Sequence, residues 1–371
     1  MFMLSARRKK ASPAAQVVAA HLEGLMIQNR SKGGNTRLPP IRTLAKELGV
    51  GISTVQAVYK EFSSQGLIRS ITGNGSYLIC KTEKNSYRVA VNLYNDSVDS
   101  PWYRDILGEL TMASIREGKQ ITLIPMGEIR GDRNLARKME NIDVALLMPT
   151  YDLPSIAEAL ARIGIPAVHV NPPVSGPTFN FVSPDYFGAC RKIGAVFRDT
   201  GRRRLLFLSA FTLHQSASAG LRLTGLMTGS RFSNDDDFHF AVEYCNGTSE
   251  EHGRRAFLLY LERGGAMPDA VFASSDYLAL GCLRELQARG IRCPEEVSVV
   301  GGTGLNLSNS FQSGLTRCGQ SFRELGSELF WMIQKLTADP ETPLPGRVIP
   351  MIWMGGLTTT DEENRLLFAA S

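Results

Sequence analysis

At 371 residues the chain exceeds what one small hydrophobic core organises and calls for roughly two or three domains. Its 43% hydrophobic and 21% charged residues suit a soluble globular protein, and neither a membrane-spanning run of ~20 apolar residues nor a secretory signal is expected, because the opening MFMLSARRKK puts its apolar residues before its charges. The net charge of +5 is uneven: 13 of the 41 basic and 4 of the 36 acidic residues fall in residues 1–85, leaving +9 there and −4 (28 against 32) in the remainder, which suggests a polyanionic partner for the first part alone.

From Ala14 to Asn29, apolar residues at Val17, Val18, Leu22, Leu25 and Met26 predict a helix after a Ser12-Pro13 start. Pro39-Pro40 opens a second helix, Ile41–Leu48, and Gly49-Val50-Gly51 turns the chain into a third, Ser53 to about Ser64, with Val55, Val58, Tyr59 and Phe62 facing inward. Two short helices joined by a glycine turn form a helix-turn-helix, in which the second helix enters the major groove. Ile52, Ser53, Thr54, Gln56 and Lys60 lie outward near its start, and the polar ones suit contacts to phosphates and base edges. Leu67–Ile71 and Ser76–Cys80 then read as two strands closed by Thr72-Gly73-Asn74-Gly75, a turn that requires positive φ. A hairpin directly after a recognition helix is a wing, with Arg69 at its base and Asn74 at its tip.

The stretch RLPPIRTLAKELGVGISTVQAVYKEFSSQGLIRSITGNGSYLI resembles the GntR family of winged-helix repressors over about 70 residues. The resemblance implies double-stranded DNA as partner and DNA contacts from Arg42, Ser53, Thr54, Gly73 and Gly75; the polar and basic residues around them add Arg37, Gln56, Lys60, Arg69 and Asn74 to the expected contacts. Arg42 takes the place of the family's phosphate-binding arginine. Ile52 and Gln56 depart from it, because both positions are usually basic.

Lys81–Ser86 is short and polar, as a joint between domains is, so the expected domains are a winged helix-turn-helix over 1–80, a linker over 81–86 and a larger domain over 87–371. Beyond the joint, strand-like and helix-like segments alternate. They are Arg88–Leu93, Trp102–Arg116, Ile121–Pro125, Val144–Met148, Ser155–Ile163, Ala167–Val170, Tyr186–Asp199, Leu205–Leu208, Glu250–Arg263, Ala270–Ala273, Asp276–Arg289, Val297–Val300 and Phe322–Leu336. Continuous apolar strands alternating with helices imply parallel sheets covered on both faces, and this length fits two lobes with a ligand cleft at the strand carboxyl ends.

Four stretches, FVSPDYFGACRKIGAVFRDTGRRRLLFLS, GLRLTGLM, PDAVFASSDYLALGCLRELQARGIRCPEEVSVVGG and LTRCGQSFRELGSELFWMI, resemble the LacI/GalR-type sensor domain, itself similar to periplasmic sugar-binding proteins. The resemblance implies an α/β fold in which the winged helix precedes a two-lobed, periplasmic-binding-protein-like, Rossmann-type domain, an architecture like that of arabinose-repressor-like proteins. Its three interlobe crossings are expected near Val182–Asp185, Thr303–Leu315 and Ala338–Gly346. The effector residues expected from strand ends and from the resemblance are Tyr94, Asn95, Trp102, Asn171, Arg222, Asp276 and Thr303, a set of planar donors, acceptors and aromatic faces suited to a carbohydrate. Thr303 stands where the family places an acidic effector contact, within Gly301-Gly302-Thr303-Gly304, and Thr248 stands near an expected aromatic.

The six cysteines (80, 190, 245, 282, 293 and 318) form no C-x-x-C pair, so a cytoplasmic protein without disulfides or zinc is expected. No G-x-S-x-G, H-E-x-x-H or P-loop occurs, and the few lysines of the larger domain do not suit a pyridoxal enzyme, so neither a cofactor nor catalysis is expected. Two readings remain: an effector-controlled homodimeric repressor, or a ligand-blind dimeric repressor whose larger domain is an oligomerisation scaffold.

Overall fold

A computed structural model of the chain describes residues 12–29, 36–64, 67–71, 75–78, 84–93, 101–127, 134–149, 153–172, 179–213, 216–232, 237–302 and 314–369. The chain divides into two compact units, Met1–Asn85 and Ser86–Ser371.

The first unit holds α1 (Pro13–Asn29), β1 (Thr36–Arg37), α2 (Ile41–Leu48), α3 (Ile52–Ser64), β2 (Ile68–Ile71) and β3 (Gly75–Leu78). Gly49 ends α2 at φ 64°, a left-handed conformation that glycine adopts at little cost, and the chain re-enters a helix three residues later. Val55, Val58, Tyr59 and Phe62 recur at helical spacing on α3 and are buried against Val18 and Leu22 of α1 and Leu44 of α2. Each such side chain contributes roughly 1.5–3 kcal/mol when fully buried. The wing is a three-stranded antiparallel sheet in the order β1-β3-β2. The extra strand, only two residues before Leu38-Pro39-Pro40, is too short to carry an alternating pattern.

In the second unit, the first lobe begins with β4 (Ser86–Val91), α4 (Pro101–Arg116), β5 (Gln120–Pro125), α5 (Leu135–Lys138), β6 (Val144–Leu147), α6 (Leu153–Arg162), β7 (Ala167–Val170) and β8 (Phe181–Pro184). The second lobe holds α7 (Tyr186–Asp199), β9 (Arg204–Ser209), α8 (Ala217–Ser230), β10 (His239–Tyr244), α9 (Glu250–Glu262), β11 (Ala270–Ala273), α10 (Asp276–Ala288), β12 (Ser298–Gly301) and β13 (Thr316–Gly319). The chain then returns to the first lobe with α11 (Phe322–Ala338) and β14 (Arg347–Ile349), and ends in the second with β15 (Ile352–Met354) and α12 (Asp361–Phe368). The sheet orders are β14-β8-β7-β6-β4-β5, all parallel, and β10-β9-β11-β12-β13-β15, parallel except for the β13–β15 pair.

Period-two alternation explains the continuous apolar strands. Val89, Val91, Val144 and Leu146 face α4 and α11, while Ala90, Ala145 and Leu147 face α5 and α6. In the second lobe, Leu206, Leu208, Val271 and Val299 face α9 and α10, and Leu205, Phe207, Phe272 and Val300 face α7 and α8.

The first crossing, between Pro184 and Tyr186, lies where expected. The other two differ. The second runs through Gln320-Ser321, between β13 and α11, rather than Thr303–Leu315, and the third through Pro350-Met351, between β14 and β15, rather than Ala338–Gly346. Strands of three or four residues, such as Thr316–Gly319 with its arginine, Arg347–Ile349 and Ile352–Met354, do not stand out by periodicity. With them unrecognised, the crossings are displaced along the chain.

Among the described residues, no helix is long and apolar enough to cross a membrane, and no group of three or more His, Cys, Asp or Glu side chains is placed to hold a metal.

Candidate functional site

The first unit presents a polar face on its second and third helices. Packing Val55, Val58, Tyr59 and Phe62 inward turns Ile52, Ser53, Gln56 and Lys60 to the exposed side of α3, while Thr54 is half-buried. The Ser53 and Thr54 hydroxyls sit beside Gly51, 3.7 and 3.6 Å from where a β-carbon there would lie. Arg42 is exposed in the first turn of α2. Arg37 on β1 is exposed and lies against Gly75 at the start of β3, its Nε 3.4 Å from the position of an added β-carbon. Gly75 has φ 100°, the left-handed backbone expected of the wing turn. Arg69 lies on β2, paired with Tyr77. Gly73 and Asn74 lie outside the described residues, as does the Arg69 side chain.

In the second unit, the crossings gather a buried polar group at the strand carboxyl ends. Tyr186 opens α7 immediately after the first crossing and is 3% exposed. Its hydroxyl accepts a hydrogen bond from Asn171 Nδ2 (3.1 Å) and donates one to Gln320 Oε1 (3.0 Å), so one phenol joins the end of β7 to the second crossing. Asn171 has φ 48°, an uncommon conformation that asparagine tolerates better than most residues. Arg222 of α8 lies over the Tyr186 ring, its guanidinium carbon 4.1 Å from the centroid, and donates from Nη1 to Ser218 Oγ (2.9 Å). Burial pushes the Tyr186 phenol above its ordinary range, opposed by the nearby Arg222 charge, so the phenol keeps its proton. Burial likewise pushes the neighbouring Cys190 thiol up to about 12, leaving it uncharged at neutral pH. The recess beside these groups, walled by Tyr186, Cys190, Arg222, Phe272, Gly302 and Cys318, encloses no space for a water-sized sphere. Asn171 Oδ1 and Gln320 Nε2 are buried without a hydrogen-bond partner, which leaves one acceptor and one donor unsatisfied at this junction.

Asp276 is fully buried in the first turn of α10. The cap of that helix is Ser275, so Asp276 is not held there as a cap. Its carboxylate forms an ion pair with Arg317 of β13 (3.7 Å) and packs against Gly301, where an added β-carbon would lie 2.5 Å from Oδ1.

The structure therefore gathers two of the expected effector residues, Asn171 and Arg222, around one phenol. Asp276 stands nearby through Cys318, whose thiol feels both the Arg222 and Asp276 charges. Trp102 packs against the core of the first lobe, edge-on to Tyr103 with ring centroids 5.1 Å apart, and Tyr103 donates its hydroxyl to the Pro149 carbonyl (3.0 Å). Thr248 is exposed, and its carbonyl accepts from Ser275 Oγ. Tyr94, Asn95 and Thr303 lie outside the described residues. Sequence reasoning missed Tyr186, Gln320 and Arg317. The position of Tyr186 directly after a correctly placed crossing was the available signal for it, and the misplaced second crossing hid Gln320. An open concavity of about 730 Å3, lined by Leu283, Arg284, Gln287, Ile291 and Leu357 among others, shares no residue with this group.

Comparison with known proteins follows the same division. Residues 14–78 match the gntR family of bacterial regulatory proteins, and residues 195–359 match a periplasmic binding protein-like domain. The HTH-type transcriptional regulator CelR of Thermobifida fusca is 27% identical over 209 residues, covering 55% of this chain and 60% of that protein. Among solved structures, a transcriptional regulator CelR–cellobiose complex superposes with a TM-score of 0.61 at 21% identity, over 86% of this chain and 100% of that one. A dimeric Lac repressor lacking 11 C-terminal residues gives a TM-score of 0.61 at 20% identity, over 74% of this chain and 98% of that one. At these identities the superpositions speak to fold. By sequence and fold together, the chain carries a segment that matches the gntR family of bacterial regulatory proteins, followed by a two-lobed fold, part of which matches a periplasmic binding protein-like domain.

Proposed function

We propose that this chain is a homodimeric, DNA-binding transcriptional repressor of the cytoplasm, whose hold on an operator is set by a small molecule bound between the two lobes. The observation that carries the reading is the Asn171–Tyr186–Arg222–Gln320 group. It lies where two crossings meet, and it pairs a cation and an aromatic face with an unsatisfied donor and an unsatisfied acceptor. Planar donors and acceptors beside an aromatic ring suit a carbohydrate, and the cellobiose bound by the CelR neighbour supports that class. Asp276, with Arg317, adds charge to the second-lobe wall. Trp102, with Tyr94, Asn95 and Thr303, completes the proposed set. On the DNA side, the proposed contacts are Arg37, Arg42, Ser53, Thr54, Gln56, Lys60 and Arg69, with Gly73, Asn74 and Gly75 at the wing. The ligand works only through different affinities for the open and closed lobe arrangements.

A second reading, a ligand-blind dimeric repressor, is favoured by one specific feature: the recess beside Arg222 has no room for a water-sized sphere. The two readings separate by unfolding the full chain against monosaccharides, sugar acids and small glycosides. A ligand present at about 100 times its Kd adds roughly 2.7 kcal/mol to the folded state. The effector-controlled reading expects a hit that disappears in Arg222→Ala and alters operator binding by fluorescence anisotropy. A blank panel with DNA binding intact supports the ligand-blind reading, and sedimentation of the same sample tests the dimer.

A further inference from the structure

The exposed face of α3 carries a feature that phosphate binding does not use. Ile52, its first residue, is 47% exposed. A single exposed apolar side chain is ordinary on a protein surface, so its exposure alone assigns nothing. Its company does. At 3.6 residues per turn, Ile52, Gln56, Lys60, Ser53 and Ala57 fan out in that order over an arc of about 140°, opposite the buried Val55, Val58 and Phe62. Ile52 and Gln56 are neighbours at i and i+4 on the first half of the helix, the half that meets base edges in a helix-turn-helix. α3 carries no arginine, and Lys60, two turns along, is its one basic residue.

An isoleucine has nothing to offer a phosphate or a polar base edge. The apolar group that the major groove presents is the thymine C5-methyl, and the base that an amide side chain grips with two hydrogen bonds is adenine. We propose that this face reads adjacent A·T pairs: Ile52 packs against a thymine methyl, and Gln56 pairs with the N6 and N7 edge of an adenine. Guanine readout by a basic side chain has no donor at either position. The proposal rests on the DNA-binding reading above and makes it specific. Apolar contact at Ile52 sets sequence preference, while Arg42 and Lys60 supply affinity without preference.

The test uses the full-length chain. Duplexes are first selected from a random-sequence pool, and each thymine of the recovered duplex is then replaced by deoxyuridine, which removes the methyl group alone. Affinities are measured by anisotropy for the wild type, Ile52→Ala and Ile52→Val. One thymine in each half-site is expected to lose about fourfold in affinity on replacement, the worth of one buried methyl group. The loss should vanish with Ile52→Ala and persist with Ile52→Val. Equal unfolding midpoints for the three proteins show that the exposed substitutions leave the fold intact. A selected duplex in which no thymine couples to Ile52 overturns the proposal and leaves the DNA-binding reading standing. A pool from which nothing is selected overturns both.

Discussion

His169 shows how one buried side chain ties this fold to pH. It lies on β7 between β6 and β8, 7% exposed, with Nδ1 lacking a hydrogen-bond partner. Desolvation lowers its pKa from 6.5 to about 4. The native state therefore keeps the imidazole neutral where the unfolded chain has already taken up a proton. Stability is constant with respect to this group above about pH 6.5, falls as the pH drops from there, and levels off below about pH 4. The full loss is on the order of 3 kcal/mol. Urea unfolding at a series of pH values should show the wild type losing more stability than His169→Gln between pH 7 and 4.5. Equal losses would assign the acid sensitivity to other groups. At this scale, residue type alone made part of the buried polar group legible: Arg222 is a cation among apolar neighbours, and Asn171 a polar residue directly after the strand Ala167–Val170. Tyr186 did not stand out, because an aromatic at a helix start reads as core until its hydroxyl is seen to hold two amides.

Close helix packing gives a physical reason for the glycines that follow Arg222. On α8, Gly225 and Gly229 are one turn apart and press against the backbone of α7, which answers with Gly194. A β-carbon at Gly229 would lie 1.9 Å from the Arg191 carbonyl oxygen, one at Gly225 2.5 Å from that of Phe187, and one at Gly194 2.4 Å from that of Leu226. This contact brings Arg222, one turn before Gly225, over the ring of Tyr186 at the start of α7. Gly229→Ala must push the helices apart and should cost roughly 1–3 kcal/mol, as overpacking does elsewhere. Urea unfolding would show it as a lower midpoint with an unchanged slope. An unchanged midpoint would mean that the two backbones have room between them. Strong period signals made most of the elements legible, and Ala167–Val170, Tyr186–Asp199 and Ala270–Ala273 begin and end where the sequence placed them. The segment 217–230 was recognised only as a resemblance, because its three glycines and two serines lower helix propensity, and tertiary contact rather than local preference makes it a helix. The short strands β13, β14 and β15 failed for want of length, and two crossings were misplaced with them.

Over the whole molecule, the charge asymmetry and the division into two units lead to one expectation about stability. Each unit has its own buried core: Val18, Leu22, Leu44, Val55 and Phe62 in the smaller, and the two sheet-centred cores in the larger. A small core buries a smaller share of its chain and is the more marginal of the two. Calorimetry of the full chain should then show two transitions, the smaller unit melting first. The proposed ligands would bind different units, so each should act on its own transition. Operator DNA should raise the first and an effector the second, by roughly 2.7 kcal/mol for either at about 100 times its Kd. The DNA effect should shrink steeply with added salt, because a basic unit holds DNA by displacing counterions, whereas an uncharged sugar should stabilise the larger unit equally at low and high salt. Regulation requires one further term, a coupling free energy, and the same scan measures it. If the effector weakens DNA binding, the shift that DNA gives the first transition must be smaller when effector is present, and reciprocity demands that DNA reduce the effector's shift by the same free energy. Two independent shifts would make the chain a DNA-binding protein with a separate sugar site, and a single transition moved by both ligands would mean that the two units unfold as one.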